Sequence, residues 1–148
     1  MDFGLSEDQL LLEQTVRRFL AAEVPIERVR ELRDAPCPND RAIWQSLAEL
    51  GATGILIPEA HGGSDLSLLD AALVSQSLGH AATPTPYLGS AVMAPIALRS
   101  LDGADNAGWL GGIASGELTF GVAVTETFSI LTSGHAARSR SSSAACLV

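Results

Sequence analysis

Leu12, Val16, Phe19 and Leu20 recur at helical spacing while Glu13, Arg17 and Arg18 fall mostly on the other side, which predicts an amphipathic helix with one buried stripe. Ser6 with Gln9 three residues later has the form of a capping box. The helix should therefore start at Glu7, with Leu5 and Leu10 placed for a hydrophobic staple, and run until Pro25 interrupts it. Ile26 to Arg33 reads as a short, highly charged helix with a thin apolar face. Within it Glu27 and Arg30, and Arg30 and Asp34, lie one turn apart and can pair, so its expected role is that of a solvated connector. Pro36-Cys37-Pro38 breaks the chain. Asn39 or Asp40 then caps a helix carrying Ile43, Trp44, Leu47 and Leu50 on one face.

The stretch from Leu50 to Gly63 organises what precedes and follows it. Gly51 stands where a helix C-terminus calls for positive φ, and Ile55 to Ile57 form a short apolar run that Pro58 keeps from continuing as helix. His61-Gly62-Gly63 supplies a tight reversal, and Ser67 with Asp70 repeats the capping pattern ahead of a stripe of Leu69, Leu73, Val74 and Leu78 that closes at Gly79. Thr83-Pro84-Thr85-Pro86 forces an extended link. Tyr87 to Leu101 is a further apolar helix that Pro95 should kink, and Asn106 to Ile113 is a short glycine-rich one anchored by Trp109 and Leu110. Leu118 to Thr125 alternates like a strand. Residues 127–148 contain no acidic residue and cluster serines at 139–143, a composition expected to stay disordered or loosely attached.

Composition narrows the classes of function. With 148 residues, 47% of them hydrophobic, the chain is long enough for one domain with a real core. Its formal charge is −8, with nine arginines and no lysine, which argues against a nucleic-acid or anionic-membrane partner because both call for a basic face. No signal peptide or run of membrane-spanning length is visible, and Cys37 and Cys146 are the only cysteines, so a soluble protein of the cytoplasm is expected. His61, His80 and His135 have no partner at ligand spacing, and no metal site is expected. Ser64-Asp65 after Gly62-Gly63 lacks the full phosphate-binding fingerprint, and no Gly-x-Ser-x-Gly elbow is present. Met93 and Trp44 read as core residues.

The order and spacing of several weak patterns carry more than any one of them. They comprise Phe3 to Gln9 leading into the helix of Gln14, Arg18 and Phe19; Trp44 to Gly51; Ile57-Pro58-Glu59 with Gly62-Gly63; Leu66 to Leu73; Trp109-Leu110; Ile113 to Glu117; and Ala123-Val124-Thr125-Glu126. Together they resemble the acyl-CoA dehydrogenase family over nearly all of residues 3–126. The resemblance implies an all-α bundle of about five to six helices over residues 1–117, the first strand of a β-domain over 118–126, and an unmatched tail over 127–148.

Members of that family use FAD to remove hydrogens from the α and β carbons of an acyl-CoA thioester. By resemblance, Val124 and Thr125 approach the flavin, while Leu88, Val92 and Ile96 are apolar wall residues of the acyl pocket. The resemblance gives no residue here the role of catalytic base, which in the family comes from a C-terminal domain. After Glu126 the pattern gives way to Thr127-Phe128-Ser129-Ile130, as expected of a truncated or frameshifted product that is inactive alone. The alternative is a non-catalytic helical module that binds another dehydrogenase subunit. Homo- or hetero-oligomers, acting in fatty acid or sterol catabolism, fit the resemblance.

Overall fold

The computed structural model describes residues 4–35, 40–100 and 106–122, and its described elements are helices and turns. Helix α1 (Glu7–Glu23) begins at the capping box: the Gln9 N–H donates to Ser6 Oγ at 3.2 Å, and the Ser6 N–H donates to Gln9 Oε1 at 3.0 Å. Two orphan amides are thus satisfied reciprocally. Val16 and Leu20 are buried, with Leu12 and Phe19 packed beside them, so the expected stripe is the buried one.

Helix α2 (Ile26–Asp34) buries no residue fully, although Val29 and Leu32 rest against the core. Its charges pair differently from the local spacing. Arg28 reaches Asp40, its Nε donating at 3.1 Å, and Arg33 engages its neighbour Asp34, while no ion pair involves Arg30 among the described residues. A one-turn pair on an exposed helix is worth only a few tenths of a kcal/mol, so a carboxylate that also caps the next helix prevails. Asp40 accepts from the N–H groups of Ala42 and Ile43 at the start of α3 (Arg41–Glu49). Burial pushes its carboxyl upward, but the Arg28 guanidinium and these two amides outweigh that, and it titrates below the usual carboxylate range.

On α3, Ile43, Trp44 and Leu47 are buried, whereas Leu50 caps the helix and is exposed. Gly51 takes φ +76°, and a 3₁₀ turn (Ala52–Gly54) carries the chain inward through Ile55, Leu56 and Ile57, all buried. A second such turn (Glu59–His61) leads into the reversal. The two glycines there serve different needs. Gly62 has φ +81° in open space, whereas a Cβ on Gly63 would lie 2.0 Å from the Ile57 carbonyl oxygen. The returning N–H groups of Ser64, Asp65 and Leu66 donate to Gly54, Ile57 and Ile55 at 2.7–3.0 Å, so the loop satisfies the buried run.

Helix α4 (Leu68–His80) starts at the second capping box, in which the Ser67 hydroxyl and N–H both donate to Asp70 Oδ2. It buries Leu73, Val74 and Leu78 against α1, together with Ala71 and Ser77, while Leu69 points outward. The helix runs past Gly79 to His80. It ends in a Schellman arrangement, with the Ala82 N–H donating to Gly79 and the Thr83 N–H to Leu78, so Ala82 occupies the left-handed position at φ 50°.

A π-helical segment (Leu88–Met93) then runs into α5 (Ala94–Arg99), and α6 is Asn106–Ala114. Leu98, Leu110, Ile113 and Ile57 form a second cluster below the crossing segment. Thr53 Oγ1 donates to the Ala114 carbonyl at 2.8 Å and Gln45 Nε2 to that of Ser115 at 3.1 Å, locking the crossing segment and α3 to α6. Residues 118–122 belong to no strand, and no strand is present among the described residues to complete a ladder with them; residues 123–126 of the expected strand and the 127–148 tail lie outside the described residues.

Candidate functional site

Pro95 has no N–H and its ring collides with the carbonyl four residues back, so the turn before it cannot close as an α-helix. The chain widens instead: the Ala94 N–H donates to the carbonyl of Gly89, five residues back, and Pro95 stands in the first turn of the regular α5. The kink expected at Pro95 is therefore displaced into Leu88–Met93. Tyr87, Ser90, Ala91, Val92, Ala94, Pro95 and Leu98 face the core, and Leu88, Ile96 and Arg99 face outward.

The chain leaving α6 crosses the start of this segment. Buried Ser90 donates its N–H to the Pro86 carbonyl at 2.9 Å, and its Oγ accepts from the Phe120 N–H at 3.2 Å. Gly89 admits the crossing, since a Cβ there would stand 3.2 Å from the Phe120 carbonyl oxygen. The Phe120 ring lies 6.4 Å from that of Trp109, tilted by 54°. At the other end, Arg99 donates to the Leu56 carbonyl at 2.9 Å and stands 3.5 Å from the Asp65 carboxylate, fixing α5 to the crossing segment. Sequence reasoning missed Gly89, Ser90 and Arg99. A Gly-Ser pair at the start of an apolar helix was the available signal for the first two.

Of the three residues expected to wall an acyl pocket, Leu88 is 62% and Ile96 48% exposed, whereas Val92 is only 8% exposed and packs in the main core. Ile96 borders a cavity of about 290 Å³ with Leu56, Leu68 and Arg99; Leu88 borders a separate one of about 270 Å³ with Leu78, Thr83 and Tyr87. The structure thus leaves Leu88 and Ile96 both exposed without joining them in one pocket. The Tyr87 hydroxyl is buried without a hydrogen-bond partner among the described residues, and burial pushes its pKa up. Val124 and Thr125 lie outside the described residues; the segment leading to them passes Gly89 and Ser90. Both cavities are mostly apolar and smaller than about 300 Å³, the lower end of what encloses a drug-sized ligand, so the described residues at this face do not by themselves cradle a flavin dinucleotide. No described helix is long and apolar enough to cross a membrane.

The described residues thus define an all-helical domain of six α-helices joined by short 3₁₀ and π turns. The family model for the acyl-CoA dehydrogenase N-terminal domain matches residues 6–117, and the chain belongs to that family. It is 39% identical over 98 residues to acyl-CoA dehydrogenase IpdE2 of Mycolicibacterium smegmatis, covering 66% of this chain and 31% of that protein. With the mitochondrial isovaleryl-CoA dehydrogenase of Pongo abelii it shares 37% over 78 residues, covering 53% of this chain and 18% of the other. Among solved structures, the ChsE4-ChsE5 complex from Mycobacterium tuberculosis contains a chain that superposes with a TM-score of 0.73 at 31% identity, covering 80% of this chain and 33% of that one. The chain thus spans a third or less of the length of these relatives.

Proposed function

We propose that this chain supplies the N-terminal helical domain of a FAD-dependent acyl-CoA dehydrogenase, and that the outward side of Leu88–Arg99 forms part of the wall for the acyl chain. The observation that carries the reading is the exposure of Leu88 and Ile96 on a helix whose Ser90, Ala91, Val92, Ala94, Pro95 and Leu98 are buried, with the segment that leads to Val124 and Thr125 bonded to it at Ser90. Large apolar side chains held outward on a rigid helix gain most when another body or an apolar ligand covers them. Bound FAD would accept a hydride from the β carbon; this chain's own residues would orient the acyl chain and exclude water from it.

Under this reading the oxidation belongs to an assembly in which further domains supply most of the flavin site and the base, and the 148-residue chain does not turn over substrate alone. A second reading, a non-catalytic helical module docked on another dehydrogenase subunit, draws support from the exposed Leu68 beside Ile96 and from the similar solved structures, named as the ChsE4-ChsE5 complex and the Tcur3481-Tcur3483 steroid acyl-CoA dehydrogenase.

A flavin titration of the purified chain, alone and with a co-expressed dehydrogenase subunit, separates the two. Perturbed flavin absorbance and acyl-CoA-dependent bleaching that appear only with the added subunit, and that fall when Leu88 and Ile96 are changed to serine, support the wall. Co-purification whose bleaching is unaffected by those changes supports the module. A free-flavin spectrum in every combination, without co-purification, removes both.

A further inference from the structure

Helix α2 and the C-terminal end of α4 enclose a groove that shares no lining residue with the cavities beside Leu88 and Ile96. It consists of two adjoining cavities, of about 430 and 540 Å³, that share Ile26 and are lined in turn by the consecutive residues Ala81 and Ala82. Their floor is apolar: Leu20, Val24 and Pro25 in one, Val29 and Pro84 in the other. The α2 residues that line it are Ile26, Val29, Arg30 and Arg33, spaced as one helical face, and the carboxylates Glu27, Glu31 and Asp34 lie on another.

The protein has 17 carboxylates against nine arginines, yet three arginines, Arg17, Arg30 and Arg33, line the two cavities together with His80, and no carboxylate lines either. Neither Arg30 nor His80 has an ion pair among the described residues. Arg33 pairs with Asp34 at 2.8 Å with both side chains solvent-exposed, so that pair costs little to exchange for another anion, whereas Arg17 is held at 2.7 Å by a half-buried Glu13. An apolar trough of small-molecule size with cationic groups along its edge complements a ligand that is apolar along its length and anionic at its end. We infer that this groove binds an amphipathic anion, an alkyl or acyl chain ending in a carboxylate or phosphate. The chain lies over Ile26 and the head group takes the Arg30 and Arg33 guanidinium groups. Helix α2 is then a binding element and not only a solvated connector, and the assignment is independent of the flavin-side reading.

The test is titration of the full chain with decanoate and with decyl phosphate, decanol serving as the neutral control, followed by calorimetry and by the amide resonances of Arg30, Ala81 and Ala82. Both anions, or the one whose head group the site prefers, are expected to saturate one site at least about tenfold more tightly than decanol. Reversing Arg30 and Arg33 to glutamate should remove that preference and leave decanol binding unchanged. Arg18→Glu and Arg41→Glu, which alter arginines lining neither cavity, should have no effect. Circular dichroism of each variant reports that the fold is kept. Absence of saturable anion binding, equal binding of decanol, or indifference to the Arg30 and Arg33 reversals overturns the inference. So does tight binding of an acidic amphipathic peptide when neither alkyl anion binds, which would make the groove a protein-docking surface.

Discussion

The crossing segment from Gly51 to Leu66 and the outer side of Leu88–Arg99 are both rich in apolar residues, yet they differ in what completes them. Ile55, Leu56 and Ile57 are buried, and the returning loop answers the carbonyls of Gly54, Ile55 and Ile57 with the N–H groups of Ser64, Leu66 and Asp65. Leu88 and Ile96 present comparable side chains outward, with nothing described above them. The backbone beneath them is as firmly held, through Ser90 to Phe120 and Arg99 to Leu56. Exposure at the second region therefore does not arise from looseness. Under the proposed reading, a rigid helix that keeps large apolar groups in water is organised for another body or ligand to cover, whereas the crossing segment is closed by its own chain.

The sharpest way to break this contrast is Gly63→Ala. Its Cβ would meet the Ile57 carbonyl oxygen at 2.0 Å, so the loop cannot return over the crossing segment; a loss of about 3 kcal/mol in urea unfolding is expected, and near-neutral behaviour would contradict the close approach. Next in size is Thr53→Val, which keeps the shape but removes the 2.8 Å donor to Ala114 and leaves a buried carbonyl short of a partner. About 1–2 kcal/mol should be lost.

Acid should expose a smaller term. The Ser67 hydroxyl and N–H, together with the Gln9 side chain, hold the Asp70 carboxyl below its ordinary pKa, against a smaller upward push from burial. The folded state therefore binds fewer protons than the unfolded chain in the acid range. This contribution is complete above the ordinary carboxylate pKa and is lost as pH falls from there through the depressed folded value. In Asp70→Asn the fall in urea midpoint between neutral and acid pH should be shallower than in the parent; an unchanged slope would discount Asp70.

The smallest effect is expected at the open side. Leu88→Ser and Ile96→Ser should each change the stability of the isolated chain by no more than about 0.5 kcal/mol, because exposed side chains contribute little to folding. A loss comparable to that of Thr53→Val would mean that this side is already covered within the chain, and the contrast would disappear.

Local chemistry determined much by itself. Ser6 with Gln9, Ser67 with Asp70, the glycine at the end of α3 and the proline before the second 3₁₀ turn act over three or four residues, so the helix starts, the reversal and most buried stripes were legible in the sequence. The order of the motifs carried the family for the same reason, since each is a short-range pattern. Tertiary structure alone decided which of several acceptable local choices prevailed. Arg28 passed over its own helix for Asp40, which also caps α3, and the break at Pro95 was absorbed as a wider turn before it. Val92 went to the core while Leu88 and Ile96 remained outside. The segment after Leu118, expected as a strand, meets buried Ser90 through the Phe120 N–H and pairs with no strand among the described residues. The face of α2 that looked like a solvated connector came to line a cationic groove because the end of α4, more than forty residues away in sequence, packs beside it. Sequence spacing fixes what a residue can reach within a turn; only packing brings distant elements together and decides which reachable partner is worth most.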